Sequence, residues 1–177
     1  MNPASPSQKG RWLLLSLAVL ALDQWTKALI EIHLPLHTSH PLIAGFFDLT
    51  HVRNTGVAFG LFSGRNTSVT LSAVGILALI LVAVYFALSH TRDRWLLAGL
   101  SLVMGGAVGN LTDRVASGAV TDFLDVHLGS HHWPSFNVAD SAIFVGIVLL
   151  AFDVFRRREA KPVEEPVEES AQEGDGP

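Results

Sequence analysis

The sequence predicts an all-α membrane protein with four transmembrane helices, and three observations support this. Of its 177 residues 49% are hydrophobic and only 16% charged, against about a quarter charged in an ordinary soluble domain. The apolar residues gather into four long runs, and a bilayer core about 30 Å thick takes about 20 such residues in a helix. Lysine and arginine fall mostly between those runs, with more on one side than on the other.

Taken in order, the first span covers 12–30. Trp12 to Leu22 is apolar, Asp23 and Lys27 interrupt it, and the pattern runs on to Ile30. Lys9 to Ala21 has the basic start and apolar run of a secretory signal, but Leu22-Asp-Gln-Trp-Thr-Lys27 lacks a convincing small-residue cleavage site. The segment therefore reads as a retained anchor. Between 31 and 68 stand Pro35, Pro41, several glycines and a β-prone run, Phe46-Phe-Asp-Leu-Thr-His-Val52, which reads as short strands at the membrane surface. The second span, 69–88, is uncharged, and the third covers 95–112. Asp113 to Asn137, rich in Asp, His and Gly, reads as a loop returning to the same face. The fourth span, 139–155, is entered through Phe136-Asn-Val-Ala-Asp140-Ser. Residues 1–158 thus form one membrane domain. The tail 159–177 has seven acids, one lysine and little apolar surface, and reads as a disordered acidic tail.

That tail also accounts for the net charge of -4, since the rest of the chain has 11 basic and 9 acidic residues. No dense basic stripe is present, so nucleic acid is not an expected partner. Without cysteine there is no disulfide framework, thiolate nucleophile or zinc-thiolate site. Lys9, Arg11, Arg92, Arg94, Arg156, Arg157, Arg158 and Lys161 fall on one side of the spans, against Lys27, Arg53, Arg65 and Arg114 on the other. Eight against four places both termini in the cytoplasm.

The placement of the acids points to function. Asp23, Asp113, Asp122, Asp125 and Asp140 all lie at or just beyond expected outer helix ends, and ionisable groups at membrane depth usually mark a wet functional site. Two Asn-x-x-Asp units, Asn110-Leu-Thr-Asp113 and Asn137-Val-Ala-Asp140, flank the third connection, and residues three apart share one helix face. Asn137 and Asp140 also suit a plain capping role at a helix N-terminus. An acid at the C-terminal end opposes the dipole, so Asp113 needs a partner such as Arg114 or an asparagine amide. Two adjacent carboxylates do not both ionise readily; one keeps a proton while the other stays charged. Such a pair can activate water and protonate a leaving amine without metal, serine or cysteine. The eight histidines lack His-Glu-x-x-His spacing, and no Gly-x-Ser-x-Gly elbow is present. Zinc at His131-His132 is disfavoured because adjacent residues do not share a helix face. Gly105-Gly-Ala-Val-Gly109 lies inside a span, where small residues let helices approach closely. Trp12, Trp25, Trp95 and Trp133 suit interfacial anchoring. From residues alone, a small carrier or proton channel using the clustered acids stays open beside a peptidase.

Five ordered blocks resemble the lipoprotein signal peptidase (signal peptidase II) family. They are Leu22-Asp23-Gln24-Trp-Thr26-Lys27, Val52-Arg-Asn54-Thr-Gly56-Val-Ala58-Phe59-Gly60, Gly105-Gly106-Ala107-Val-Gly109-Asn110-Leu-Thr-Asp113-Arg114, Gly118-Ala-Val120-Thr-Asp122-Phe123 and Phe136-Asn137-Val-Ala139-Asp140-Ser141. Val57 and Thr121 depart from the common pattern without removing a needed polar group. The resemblance implies an aspartyl endopeptidase of the bacterial inner membrane that needs no cofactor. Its substrates would be diacylglyceryl-modified prolipoproteins, cleaved before the lipidated cysteine, and globomycin-type compounds would inhibit it. It implies four spanning helices with cytoplasmic termini, a small extracytoplasmic β-cradle and a short surface helix. Asp122 and Asp140 carry over as the catalytic pair, and Asn54, Asn110, Asp113, Arg114 and Asn137 as supporting residues, with Asp23 structural. Asp122, set between Val120 and Phe123, is expected to hold the proton, and Asp140, at a helix N-terminus, the charge.

Overall fold

The computed structural model describes residues 6–56 and 65–159. In chain order the elements are α1 (Pro6–His33), β1 (Ser39–Ile43), β2 (Phe47–Asn54), α2 (Arg65–Leu88), α3 (Arg94–Ser117), β3 (Val120–Leu128), β4 (His131–His132) and α4 (Val138–Glu159). Among the described residues four helices are long and apolar enough to cross a membrane: Lys9–His33, Val69–Leu88, Arg94–Ser117 and Val138–Arg157. The expected spans fall inside these ranges.

α3 is the central helix and packs against the other three. Its small residues explain how. A methyl group on Gly105 would come within 2.6 Å of the Ser16 carbonyl oxygen of α1, and one on Gly109 within 2.6 Å of the Asp23 carboxylate. A methyl group on Gly106 would likewise run into the Ala139 carbonyl oxygen of α4. The glycine-rich stretch is therefore a packing surface, as its place in a span implied. The face of α1 turned inward carries Ser16, Val19, Asp23, Lys27 and Ile30, all buried, and the three- and four-residue spacing makes one helical stripe. α2 touches the bundle through α3, with Phe86 in a cluster with Leu96, Leu97, Leu100 and Met104. Most of its other large apolar side chains, including Val74, Leu77, Leu81 and Leu88, are exposed, as suits a lipid-facing helix.

At one end of the bundle lies an antiparallel sheet of order β1-β2-β3-β4. The run Phe46–Val52 supplies β2, as its composition implied. β3 pairs with β2 from Phe47↔Val126 to Asn54↔Val120. The ends of α1 and α3 and the start of α4 meet this sheet, while the α2–α3 turn and the end of α4 lie at the other end.

Two expectations change. Asp113 does not end the third helix: α3 runs on to Ser117 and stops at Gly118, whose left-handed φ of 74° lets its N–H donate to the Arg114 carbonyl. The connection that follows is not a loop around Asp122, because Val120–Leu128 forms a nine-residue strand. Val, Thr and Phe favour that conformation, and burial on both faces hides the usual alternation, Val120 through Phe123 all being buried. No separate surface helix stands among the described residues. Residues 57–64, with Val57-Ala-Phe-Gly60 of the second motif, lie outside them, as does the tail from 160 onward.

Candidate active site

The sheet and the helix ends bring the acids together. α4 begins with a capping box: Asn137 Oδ1 accepts from the Asp140 N–H at 2.9 Å, and Asp140 Oδ2 accepts from the Asn137 N–H at 3.2 Å. Asp23 Oδ1 accepts from the Ala139 N–H at 2.9 Å, so a carboxylate of α1 also caps α4. The strand reaches the same place because Leu124 and Phe136 exchange backbone hydrogen bonds of 2.8 and 3.0 Å. This fixes Asp122 of β3 beside the residues that open α4.

Each of the two acids is held by amides. Asp122 Oδ1 accepts from Asn137 Nδ2 at 2.7 Å and Oδ2 from Asn54 Nδ2 at 2.9 Å. Asp140 Oδ1 accepts from Asn110 Nδ2 at 2.7 Å. Asn137 thus touches both carboxylates, one through its side-chain amide and the other through its backbone N–H. Asn54 makes a turn as well, since its Oδ1 accepts from the Gly56 N–H at 3.0 Å, and that bond turns Nδ2 toward Asp122. Asp122 and Asp140 both line a cavity of about 300 Å³ with Asn54, Arg114, Trp133 and Phe136. Burial pushes the Asp122 carboxyl up to about 6, and the neighbouring Asp140 charge adds to the rise against the opposing amides of Asn54 and Asn137.

Asp23, Asp113 and Asn110 meet at a cation. Lys27 Nζ lies 2.8 Å from Asp23 and 2.7 Å from Asp113, and donates to Asn110 Oδ1 at 3.1 Å. Its three N–H groups are thereby all used. Asp113 also accepts from Gln24 Nε2 at 2.8 Å. The expected Asp113–Arg114 pairing does not form, because consecutive helical residues point apart; Arg114 instead walls the cavity, with Nη1 3.4 Å from the Asn110 carbonyl.

The family model for signal peptidase (SPase) II matches residues 15–156. The chain belongs to the signal peptidase II family. Lipoprotein signal peptidases of Desulforapulum autotrophicum and Syntrophus aciditrophicus are 48% and 43% identical, each over 81% of this chain and 91% of the relative. A bacterial membrane enzyme structure solved in meso at 2.3 Å resolution superposes with a TM-score of 0.81 at 30% identity, covering 93% of this chain and 98% of the other.

All eight residues singled out in this signal peptidase II chain lie in or beside one network. Asn54, Asn110, Asn137, Asp122 and Asp140 are linked directly, Asp23 and Asp113 join through Lys27, and Arg114 joins through the Asn110 backbone. Sequence reasoning missed Lys27 as a member. The signal was present: Asp23 and Lys27 stand four apart in an otherwise apolar helix, the spacing of an intrahelical ion pair. It also missed Glu31, which accepts from the Thr121 hydroxyl at 2.6 Å and ties α1 to β3.

Proposed function

We propose that this signal peptidase II is an aspartyl endopeptidase that removes the signal peptide from diacylglyceryl-modified prolipoproteins, cleaving before the lipidated cysteine. The observation that carries the reading is one cavity lined by Asp122 and Asp140, with Asn137 bonded to both. The deprotonated carboxylate takes a proton from water, and the oxygen adds to the carbonyl preceding the cysteine. The protonated carboxyl then gives its proton to the departing cysteine amine as the C–N bond breaks. Asp140, at the N-terminus of α4, is the readier anion, and Asp122, raised to about 6, is the side of the pair toward which the shared proton leans. Because the pair titrates as one unit, the proton belongs to the dyad rather than to either residue. Asn54, Asn110 and Asn137 orient the acids; Asp23, Asp113 and Lys27 hold the helices that carry them.

The same reading places the protein in the bacterial inner membrane with cytoplasmic termini, following the eight-to-four bias of lysine and arginine. The dyad then faces the outer leaflet, where water and the lipidated cysteine both arrive, and the substrate's acyl chains stay in membrane lipid. A globomycin-type inhibitor would occupy this cavity. The acids gather at one end, and apolar side chains, Phe86, Leu96, Leu97 and Leu100, pack together at the bundle's other end, which favours chemistry at a surface over a path lined by acids at several depths.

The test is cleavage of a diacylglyceryl-modified prolipoprotein in detergent. Activity resistant to EDTA and to serine and thiol reagents, and lost in both Asp122→Asn and Asp140→Asn, is expected. Full turnover by either variant overturns the assignment.

A further inference from the structure

Toward its end α1 carries three ionisable side chains, Asp23, Lys27 and Glu31, and their four-residue spacing puts them on one face. Each reaches a different element. Asp23 accepts from the Ala139 N–H of α4 at 2.9 Å, Lys27 lies 2.7 Å from Asp113 of α3, and Glu31 Oε1 accepts from the Thr121 hydroxyl of β3 at 2.6 Å. Ala139 immediately precedes Asp140, and Thr121 immediately precedes Asp122. Both carriers of the acid pair are thus tied to one helix, at points about 12 Å apart along its axis. We propose that Glu31 is a positioning residue for the reaction, acting through Thr121 to set Asp122 against Asp140. The proposal rests on the reading of those two acids as the catalytic pair.

Neighbouring residues of a strand point to opposite faces. Asp122 lines the cavity and Thr121 does not; Thr121 is buried and its hydroxyl meets the end of α1 instead. The three bonds between residue 121 and side chains are unequal. Its N–H donates to Asp113 Oδ2 and its carbonyl accepts from Asn137 Nδ2, both at 3.4 Å, beyond the usual range of roughly 2.7–3.2 Å. The Glu31 bond, at 2.6 Å, has the length of a hydroxyl donating to a carboxylate, which is about twice as strong as a neutral pair. The strand ladder leaves work for such a tie. β3 begins at Val120, just ahead of Asp122, and the register of β2 against β3 shifts between Leu49 and Val52, beside the Val52–Asp122 pair, where a bulge disrupts local pairing. The amides of Asn54 and Asn137 hold the Asp122 carboxyl from the cavity side, and Glu31 holds the backbone behind it. Glu31 is itself exposed, so its replacement opens no hole in the bundle.

The experiment measures kcat and KM of the full chain in detergent on a diacylglyceryl-modified prolipoprotein, per folded molecule, with folding checked by unfolding temperature. Glu31→Ala is expected to lower kcat about tenfold with KM nearly unchanged, since a misplacement of about 1 Å can cost up to about 100-fold. Glu31→Gln removes the charge but keeps an acceptor for the Thr121 hydroxyl, and should recover most of the loss. Thr121→Val keeps the side-chain shape without the hydroxyl and should match Glu31→Ala. Because each variant breaks the same bond, the two together should be no slower than either alone. A role in stability alone would lower the unfolding temperature and leave kcat per folded molecule at the wild-type value, which would overturn the proposal. So would a loss in Glu31→Gln as deep as in Glu31→Ala, a loss carried by KM, or losses that multiply in the double variant. Asp122→Asn and Asp140→Asn separate the two claims. With both inactive, wild-type kcat in Glu31→Ala sinks the positioning role alone; full turnover by either overturns the acid pair and the positioning role with it.

Discussion

Replacing Lys27 by methionine removes the cation from the centre of the buried network while keeping its side-chain length. The ammonium group lies 2.8 Å from Asp23, 2.7 Å from Asp113 and 3.1 Å from Asn110. Asp23 is fully buried, and the side chain of Asp113 is 11% exposed. Breaking a buried ion pair from one side costs about 3–5 kcal/mol, because the remaining charge is left without compensation. Here two carboxylates are left, each keeping a hydrogen bond from Gln24 and Asp23 keeping that of the Ala139 N–H. We therefore expect Lys27→Met to lose stability near the upper end of that range, measured by equilibrium unfolding in dodecylmaltoside titrated with dodecylsulfate. Asp113→Asn in the same background removes one stranded charge, so the double variant should lose less than the sum of the two single losses, by about 1–3 kcal/mol. Activity should fall as well, since Asn110 Oδ1, left with the Asn137 amide alone, would lose one of the two bonds that turn its Nδ2 toward Asp140. A loss below about 1 kcal/mol, or strict additivity of the two variants, would refute the view that Lys27 is the electrostatic centre of the bundle.

Gly106→Ala would press a methyl group on the Ala139 carbonyl and is expected to cost about 1–3 kcal/mol by overpacking; Gly10→Ala, with nothing within 4 Å, is the control and should be neutral or stabilising. Asn54→Ala removes the amide on Asp122 Oδ2 and is expected to lower kcat about 100-fold with little change in unfolding temperature, on the scale seen for single preorganised donors. Asp122 rises from an ordinary 3.8 to about 6 on folding, so between those values the native state binds more protons than the unfolded one. Stability should then fall as pH rises from about 4 to 6, and Asp122→Asn should flatten that slope in a pH series of unfolding curves. Asp48 beside His127, at 3.2 Å from Nε2, raises the imidazole's pKa; the support this gives the sheet is fully present at low pH and lost as pH rises through the folded value, a dependence that His127→Gln should remove.

The spans were legible because bilayer thickness and hydropathy set them almost unaided, and Val69–Leu88 needs no further information. The gathering of acids was legible too: two Asn-x-x-Asp units at the ends of one connection must return to the same face. The capping bonds of Asn137 and Asp140 were legible as well, and the same two residues reach Asp122 and Asn110 through their other side-chain atoms, Asn137 Nδ2 and Asp140 Oδ1. What sequence could not give was β3. Thr121 and Asp122 are buried polar residues in a strand covered on both sides, so neither alternation nor an apolar run announces it. Partner choice within the network was hidden for a related reason. Arg114 follows Asp113 in the chain, yet the cation that reaches Asp113 comes from Lys27, 86 positions earlier, where α1 meets α3.

The central claim is that Asp122 and Asp140 act as one proton-sharing pair. An infrared titration of the carboxylic-acid C=O band in detergent, assigned by its loss in Asp122→Asn, measures this directly. The account predicts an Asp122 transition near 6 in the wild type and a lower one in Asp140→Asn, where the neighbouring negative charge is gone. An Asp122 transition that is the same in both proteins would contradict it.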